Sequence, residues 1–149
     1  MQLDAWLKSN IDDVVSHRRW LHQHPEVGFK EFETSGYCIE NVKSYGYSPV
    51  QSNLMQTGFY ADIGPPNGKS IALRCDMDAL PIDEKNSCAY KSLKSGFSHA
   101  CGHDVHMAIQ LGVMKYFSEL DKVNGLVRFI FQPAEEMAPG GALSMIDSG

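Results

Sequence analysis

The residues best suited to chemistry lie in one short segment, SHACGHDVH, over residues 98–106. It places a thiol, Cys101, and three imidazoles, among them His103, directly before a run with helical periodicity. Thiolate and imidazole are ligands that Zn²⁺ and neighbouring transition metals accept. The positive potential of a helix N-terminus should also lower the pKa of the thiol. One Cys-x-His spacing is a weak motif, so capping and packing roles stay open for these side chains.

Two acidic pairs follow predicted strands. Glu135 and Glu136 come after the apolar run LVRFIF and Pro133, and Asp76 and Asp78 come after SIALR. Ligands of open α/β sheets lie beyond the carboxyl ends of strands. One glutamate could bind a metal while the other acts as a general base, and the aspartates could orient metal-bound imidazoles. Solvated loop acids and turn caps are the alternative interpretation.

The elements that must position these residues follow from apolar spacing and turn residues. The predicted helices and strands, in chain order, are helices 3–21 and 31–45, strands 57–63 and 70–74, helix 104–120, strand 126–131 and helix 141–148. Helices alternate with strands, so the fold class is α/β. Residues 83–98 show no period, and a loop of that length in a compact domain is usually functional or disordered.

Several details of these elements are also predicted. The first helix should bury one apolar face, formed by Leu3, Trp6, Leu7, Ile11, Val14, Val15 and Leu21. The second should turn Phe32, Ile39 and Val42 inward and end at Gly46 as a C-cap. Asp104 is the expected N-cap of the third. The first two strands flank the turn cluster PPNG and should form a β-hairpin, and the third should be central and covered on both faces.

Composition restricts the function classes. The 149 residues carry 13 Lys+Arg against 18 Asp+Glu, a net charge of −5, and 43% are hydrophobic. This is typical of one globular domain without internal repeats and without a grouped basic surface for nucleic acid. No apolar run reaches the ~18 residues of a membrane span, and no signal peptide is recognisable. Four scattered cysteines are expected as thiols, which favours the cytoplasm. The charge pattern and the absence of a long apolar run predict neither nucleic-acid nor membrane partners.

Together these motifs resemble a known family of metal-dependent amidohydrolases. It includes hippurate hydrolase, N-acyl-amino-acid and N-acetyl-diaminopimelate deacetylases, and auxin-conjugate hydrolases. The resemblance rests on RRWLHQHPE at 18–26, LRCDMDALP at 73–81, HACGHD at 99–104, and a fourth motif, FQPAEE at 131–136 followed by GGA at 140–142. Four separate motifs in the family's order make the resemblance specific.

The resemblance implies a role for each matching residue. Cys101, His103 and Glu136 match metal ligands, and Glu135 matches the general base that deprotonates the attacking water. Asp78 matches an acid that supports the site from behind the ligands. The other motif histidines (His22, His24, His99 and His106) match no ligand, so we interpret them as supporting, capping or packing residues.

The resemblance also implies a fold and an extent. The fold is the N-terminal part of a zinc-peptidase-like catalytic domain, with a mixed sheet flanked by helices. Residues 1–149 would be a partial catalytic domain. Family members are longer, with an inserted lid or dimerisation domain and two further histidine ligands after the position of Gly149. We therefore expect the lid and the rest of the catalytic domain to be absent here.

The expected reaction is hydrolysis of the amide bond of a small N-acyl amino acid. The reaction would use a divalent Zn, Mn, Co or Ni ion, and the complete enzyme would bind two such ions. The complete enzyme could also be a homo-oligomer. An alternative hypothesis is a truncated, non-catalytic fragment that binds metal or a partner. A third takes Cys101 as a nucleophile activated by a histidine, but it leaves Glu135 and Glu136 unexplained.

Overall fold

The computed structural model describes residues 2–149, which form an α/β fold with a mixed three-stranded sheet. In chain order the elements are α1 (Leu3–Gln23), α2 (Phe32–Ser44), β1 (Phe59–Ile63), β2 (Ser70–Asp76), α3 (His103–Ser118), β3 (Leu126–Gln132) and α4 (Gly141–Asp147). The predicted fold class is confirmed, and each predicted helix and strand is present within a few residues of its expected bounds. Residues 83–98, all within the described part, contain neither helix nor strand.

The strand order is β1-β3-β2, so the predicted hairpin of the first two strands is wrong. β3 pairs antiparallel with β1 and parallel with β2, and the PPNG turn joins two strands that are not neighbours. The apolar run of β3 explains this order, because a central strand buries more apolar surface than an edge strand does. The parallel β2–α3–β3 unit brings the carboxyl ends of β2 and β3 to the same edge.

The core lies between the sheet and α3. Phe59 of β1 and Phe131 of β3 are paired in register and fully buried, with their rings stacked at 4.3 Å. Met107, Leu111 and Met114 of α3 are fully buried in the same cluster. β3 is central, as predicted, but its alternate residues are only partly buried, so one face is covered less well than expected.

The predicted inner faces of α1 and α2 are only partly correct. In α1, Trp6 and Leu21 are buried, but Leu3, Leu7, Ile11 and Val15 of the same expected face are exposed. In α2, Val42 is buried whereas Phe32 is 71% exposed. The apolar spacing thus located both helices correctly. Tertiary packing, however, buries fewer residues of each helix than the predicted apolar face contains.

The start of α3 also differs from the prediction. The helix begins at His103, and its N-cap is Gly102 with a φ of 105°, a left-handed conformation that a residue without Cβ adopts freely. Asp104 is therefore not the N-cap. It lies inside the first turn, where its side chain is 1% exposed and contacts Arg18 and His22 of α1. Gly46, with a φ of 90°, follows the end of α2, as expected.

Candidate metal centre

The predicted site residues lie where three elements meet. β2 ends at Asp76, two residues before Asp78, and β3 ends at Gln132, shortly before the glutamate pair. His103 is the first residue of α3. Because β2 and β3 are parallel neighbours, their carboxyl ends and the start of α3 converge at one edge of the sheet.

Three side chains at this edge could hold one metal ion. The Cys101 sulfur, a His103 ring nitrogen and a Glu136 carboxylate oxygen all lie within 4.8 Å of one another. Cys101 and Glu136 are exposed, whereas His103 is buried. The structure therefore brings together the three residues that the sequence predicts as ligands, and a cation could reach them from solvent.

A buried carboxylate and a carbonyl fix the ring of His103. Its Nδ1 lies 2.8 Å from the backbone oxygen of Asp78 and 3.4 Å from Oδ1 of the same residue. Nδ1–H is therefore the donor to the carbonyl, so a cation would bind at Nε2 and displace the proton there. Burial lowers the pKa of His103, but the hydrogen bonds and charge of Asp78 outweigh it and raise the pKa to about 9.

Asp78 anchors the two glutamates as well. Its Oδ1 accepts a hydrogen bond from the backbone N–H of Glu135 at 3.0 Å, and its Oδ2 accepts one from Glu136 at 2.9 Å. Burial raises the pKa of Asp78, but the hydrogen bonds from His103, Glu136 and Glu135 outweigh it, so the net pKa is lowered. Asp78 is thus an ionised support that holds one ligand ring and one ligand-bearing backbone.

Glu31, the residue before α2, supports the same segment, and sequence reasoning missed it. It is fully buried, its Oε1 accepts the backbone N–H of Ala134 at 2.8 Å, and its Oε2 accepts the hydroxyl of Thr57 at 2.6 Å. Ala134 has a φ of 48°, so the chain bends sharply just before Glu135. Nothing in the local pattern around Glu31 signals a contact with a residue more than a hundred positions away.

The donor set fits a divalent transition-metal ion. Thiolate, imidazole and carboxylate are the ligands that Zn²⁺ accepts in proteins. The neighbouring Glu136 carboxylate raises the pKa of Cys101, with smaller contributions from burial and from Glu135. The predicted lowering by the helix N-terminus is therefore wrong for the metal-free site. A thiol among carboxylates loses its proton readily only when a cation balances the charge, which is what a metal supplies.

The remaining motif histidines lie outside the Cys101–His103–Glu136 set, although His106 forms an overlapping ligand group with Asp76 and His103, whose ligand atoms lie within 4.8 Å of one another. His99 is buried, and burial lowers its pKa to about 4, so it is neutral. His106 is exposed, 3.9 Å from a carboxylate oxygen of Asp76. His24 donates from Nδ1 to the Trp20 carbonyl at 2.7 Å and stacks on the Trp20 ring. The supporting and packing roles expected of these histidines stay a prediction.

The sequence that forms this site matches a known protein family. The model of peptidase family M20/M25/M40 matches residues 72–149, which include most of β2, all of α3 and β3, and every candidate ligand. The chain belongs to peptidase family M20/M25/M40. The resemblance predicted from the four motifs is thereby confirmed.

Relatives in the M20 family are named as hydrolases of N-acyl amino acids. An N-acyl-L-amino acid amidohydrolase of Geobacillus stearothermophilus is 44% identical over 138 residues, covering 92% of this chain and 37% of its own. An N-acetyldiaminopimelate deacetylase of Exiguobacterium sibiricum is 42% identical over 139 residues, with 93% and 37% covered. The chain thus spans little more than a third of the length of the curated relatives it matches.

A solved structure of an M20 protein has the same fold. The YXEP protein of Bacillus subtilis superposes with a TM-score of 0.88 and 38% identity, over 95% of this chain and 40% of its own. It is described as a dinuclear metal-binding peptidase. The predicted fold, the N-terminal part of a zinc-peptidase-like catalytic domain, is therefore confirmed.

Within residues 2–149, none of the helices combines the length and the apolar character needed to cross a bilayer.

Proposed function

We propose that this chain supplies the catalytic half-site of a metal-dependent hydrolase that cleaves the amide bond of N-acyl amino acids. One observation carries the proposal: the ligand atoms of Cys101, His103 and Glu136 converge within 4.8 Å, and the Glu135 carboxylate lies 3.9 Å from the ring of His103. A metal centre with an adjacent free carboxylate is the arrangement that amide hydrolysis by water requires. The names of the M20 relatives support the substrate class.

The residues of the chain have distinct tasks in this reaction. Cys101, His103 and Glu136 would hold a divalent Zn, Mn, Co or Ni ion, which would polarise the amide carbonyl and make a water molecule acidic. Glu135 accepts the proton of the attacking water and returns it to the leaving amine. Its side chain is exposed, with Oε2 3.9 Å from Nε2 of His103, so it reaches the ligand cluster without being buried in it.

Asp78 positions these groups and does not touch the substrate. It is almost completely buried, and both of its oxygens accept backbone hydrogen bonds from the glutamate pair. By fixing that backbone, Asp78 directs Glu136 toward the ion and Glu135 toward the water. The shared support explains why adjacent glutamates can perform different tasks.

The complete site extends beyond these residues in our proposal. A second ion, two further histidine ligands and a lid or dimerisation domain would come from sequence corresponding to the remaining length of the M20 relatives. The substrate is a small molecule, the compartment is the cytoplasm, and the complete enzyme could be a homo-oligomer. Residues 1–149 are then a partial catalytic domain.

The deciding experiment is Glu135→Gln in the complete enzyme, with Glu40→Gln at an exposed position of α2 as the matched control. We expect E135Q to retain its metal and to lose N-acetyl-amino-acid hydrolysis by about 10²–10⁴-fold, because the water loses its general base. E40Q should keep both properties. Retained turnover in E135Q would contradict the assignment of Glu135.

A second candidate function is a non-catalytic metal-binding fragment, in which the converging ligand atoms of Cys101, His103 and Glu136 hold an ion without hydrolysis. Equilibrium dialysis with Zn²⁺ and an assay on N-acetyl amino acids separate the two. Metal binding with no hydrolysis in the complete protein would favour the fragment. In both cases Cys101→Ala should weaken metal retention, and an unchanged metal content would exclude Cys101 as a ligand.

A further inference from the structure

A second set of ligand-type side chains lies outside the centre described above. A ring nitrogen of His22, a carboxylate oxygen of Glu84 and the sulfur of Cys88 lie within 4.8 Å of one another. They come from the end of α1 and from the irregular segment 83–98. We propose that these three residues form a separate binding site for a zinc-type divalent cation.

The orientation of the His22 ring supports the proposal. Nδ1 lies 2.7 Å from Oδ2 of Asp104, so Nδ1–H donates to this carboxylate, whose charge is balanced by the Arg18 guanidinium 2.9 Å away. Nε2 then faces Oε1 of Glu84 at 2.9 Å. At this distance the two atoms share a proton, which a cation bound by both lone pairs would displace. A carboxylate behind a histidine is the usual second partner of metal-bound imidazole.

Glu84 is held as a preformed ligand. Its side chain is 4% exposed, and its Oε2 accepts the backbone N–H of Ser92 at 2.6 Å. Oε1 is left to face His22, with only a long contact of 3.3 Å from Asn86. The carboxylate is thus fixed by the backbone of its own loop. A ligand that is already immobilised loses little conformational entropy when an ion binds.

Cys88 completes the set and selects the metal class. It lies four residues after Glu84, half-buried, and borders a polar cavity of about 490 Å³ that Arg18, Asn86 and Tyr90 also line. The cavity gives an ion a route in and leaves room for water as a fourth ligand. Imidazole, carboxylate and thiolate with one open position are typical of Zn²⁺. Cys88 would release its proton to solvent on binding.

The consequence would be a metal cross-link between α1 and the 83–98 segment. Asp104 orients His22 and directly follows His103 in α3. The link would therefore lie directly behind the metal centre that contains His103. The alternative is a doubly protonated His22 that donates to both carboxylates. That alternative needs no Cys88 and no metal, so the two can be separated.

The experiment uses the full chain in a Cys101→Ala background, which removes the thiolate of the first centre. After Co²⁺ loading we expect a thiolate-to-cobalt charge-transfer band. After Zn²⁺ loading, X-ray absorption spectra should show one sulfur at about 2.3 Å from the zinc ion. Adding Cys88→Ser should abolish the band and lower bound metal by about one equivalent. Ser87→Ala, at the neighbouring exposed position, is the control and should change neither.

Three results would overturn the proposal. They are no thiolate band in C101A, a band that persists in C101A/C88S, or nitrogen NMR signals showing both ring nitrogens of His22 protonated in the metal-loaded chain. Equal unfolding midpoints of metal-free C101A and C101A/C88S would show that the second substitution leaves folding intact. None of these readouts depends on turnover, so failure here leaves the hydrolase proposal untouched.

Discussion

Two buried carboxylates flank the start of α3, and they are held in opposite ways. Asp78 accepts backbone hydrogen bonds from Glu135 and Glu136, whereas Asp104 contacts the side chains of Arg18 and His22. Both are 1% exposed. A carboxylate held by backbone amides fixes the path of a loop, and one held by side chains fixes the packing of two helices. Asp78 therefore positions metal ligands, whereas Asp104 stabilises the fold.

The largest expected effect is on stability, from Asp104→Asn. Removing this charge leaves Arg18 and His22 without their carboxylate, and breaking a buried pair costs roughly 3–5 kcal/mol. Arg18 is 29% exposed and can be solvated, so we expect the lower end, about 3 kcal/mol, in denaturant unfolding.

Asp13→Asn is the matched control, because Asp13 and Lys115 form an exposed ion pair between the same two helices. Its loss should cost less than about 1 kcal/mol. Equal costs for D104N and D13N would remove the distinction between the buried and the exposed contact.

Asp78→Ala should act mainly on metal binding. Without the carboxylate, His103 loses its orienting partner and the backbone of Glu135 and Glu136 loses its anchor. Loss of such a supporting partner lowers metal affinity by about 10–100-fold. Chelator competition with Zn²⁺ measures it, with exposed Asp121→Ala as the control. A larger loss of metal affinity in D104N than in D78A would show that Asp104, and not Asp78, is the main support of the ligands.

Thr57→Val tests the support behind the glutamates at a smaller scale. The variant removes the hydroxyl that donates to Glu31 and leaves a buried carboxylate oxygen unpaired, at a cost of about 1–3 kcal/mol. Thr34→Val is a strict control, because within residues 2–149 the buried hydroxyl of Thr34 has no hydrogen-bond partner. T34V should be nearly neutral in thermal unfolding, and a cost equal to that of T57V would argue against the Glu31 contact.

The smallest effect is a pH dependence from His17. Burial lowers its pKa below the usual 6.5, and its ring nitrogens lie 2.7 and 2.9 Å from the hydroxyls of Tyr37 and Tyr45. Below pH 6.5 the unfolded chain takes up a proton that the folded ring resists, so this contribution to stability is present above pH 6.5 and lost as pH falls. His17→Asn should flatten the slope of unfolding free energy between pH 7.5 and about 5.5. An unchanged slope would show that His17 titrates normally.

Local patterns predicted the elements and the motif residues well. The helix from 103 to 118 and the strand from 126 to 132 have strong periodicity, and the candidate ligands lie at their ends. These features depend on neighbours in sequence, and local spacing reports them directly.

Contacts between distant residues could not be predicted in the same way. The pairing of β1 with β3 joins segments more than sixty residues apart, and a turn-rich linker imitated a hairpin. Glu31 and Glu84 look like ordinary loop or helix-start acids, yet they contact Ala134 and His22. Asp104 has the residue type of an N-cap, but a charge pair with α1 takes its side chain inward.

The strand order also has a consequence in time. During synthesis β1 emerges from the ribosome well before β3, its only partner in the sheet of residues 2–149. At about 5–20 residues per second, the interval between Ile63 and Leu126 lasts roughly 3–13 s. For that period Phe59 and Ala61, both fully buried later, have no strand to cover them. The nascent chain is therefore most exposed to aggregation and to chaperones before α3 and β3 have been made.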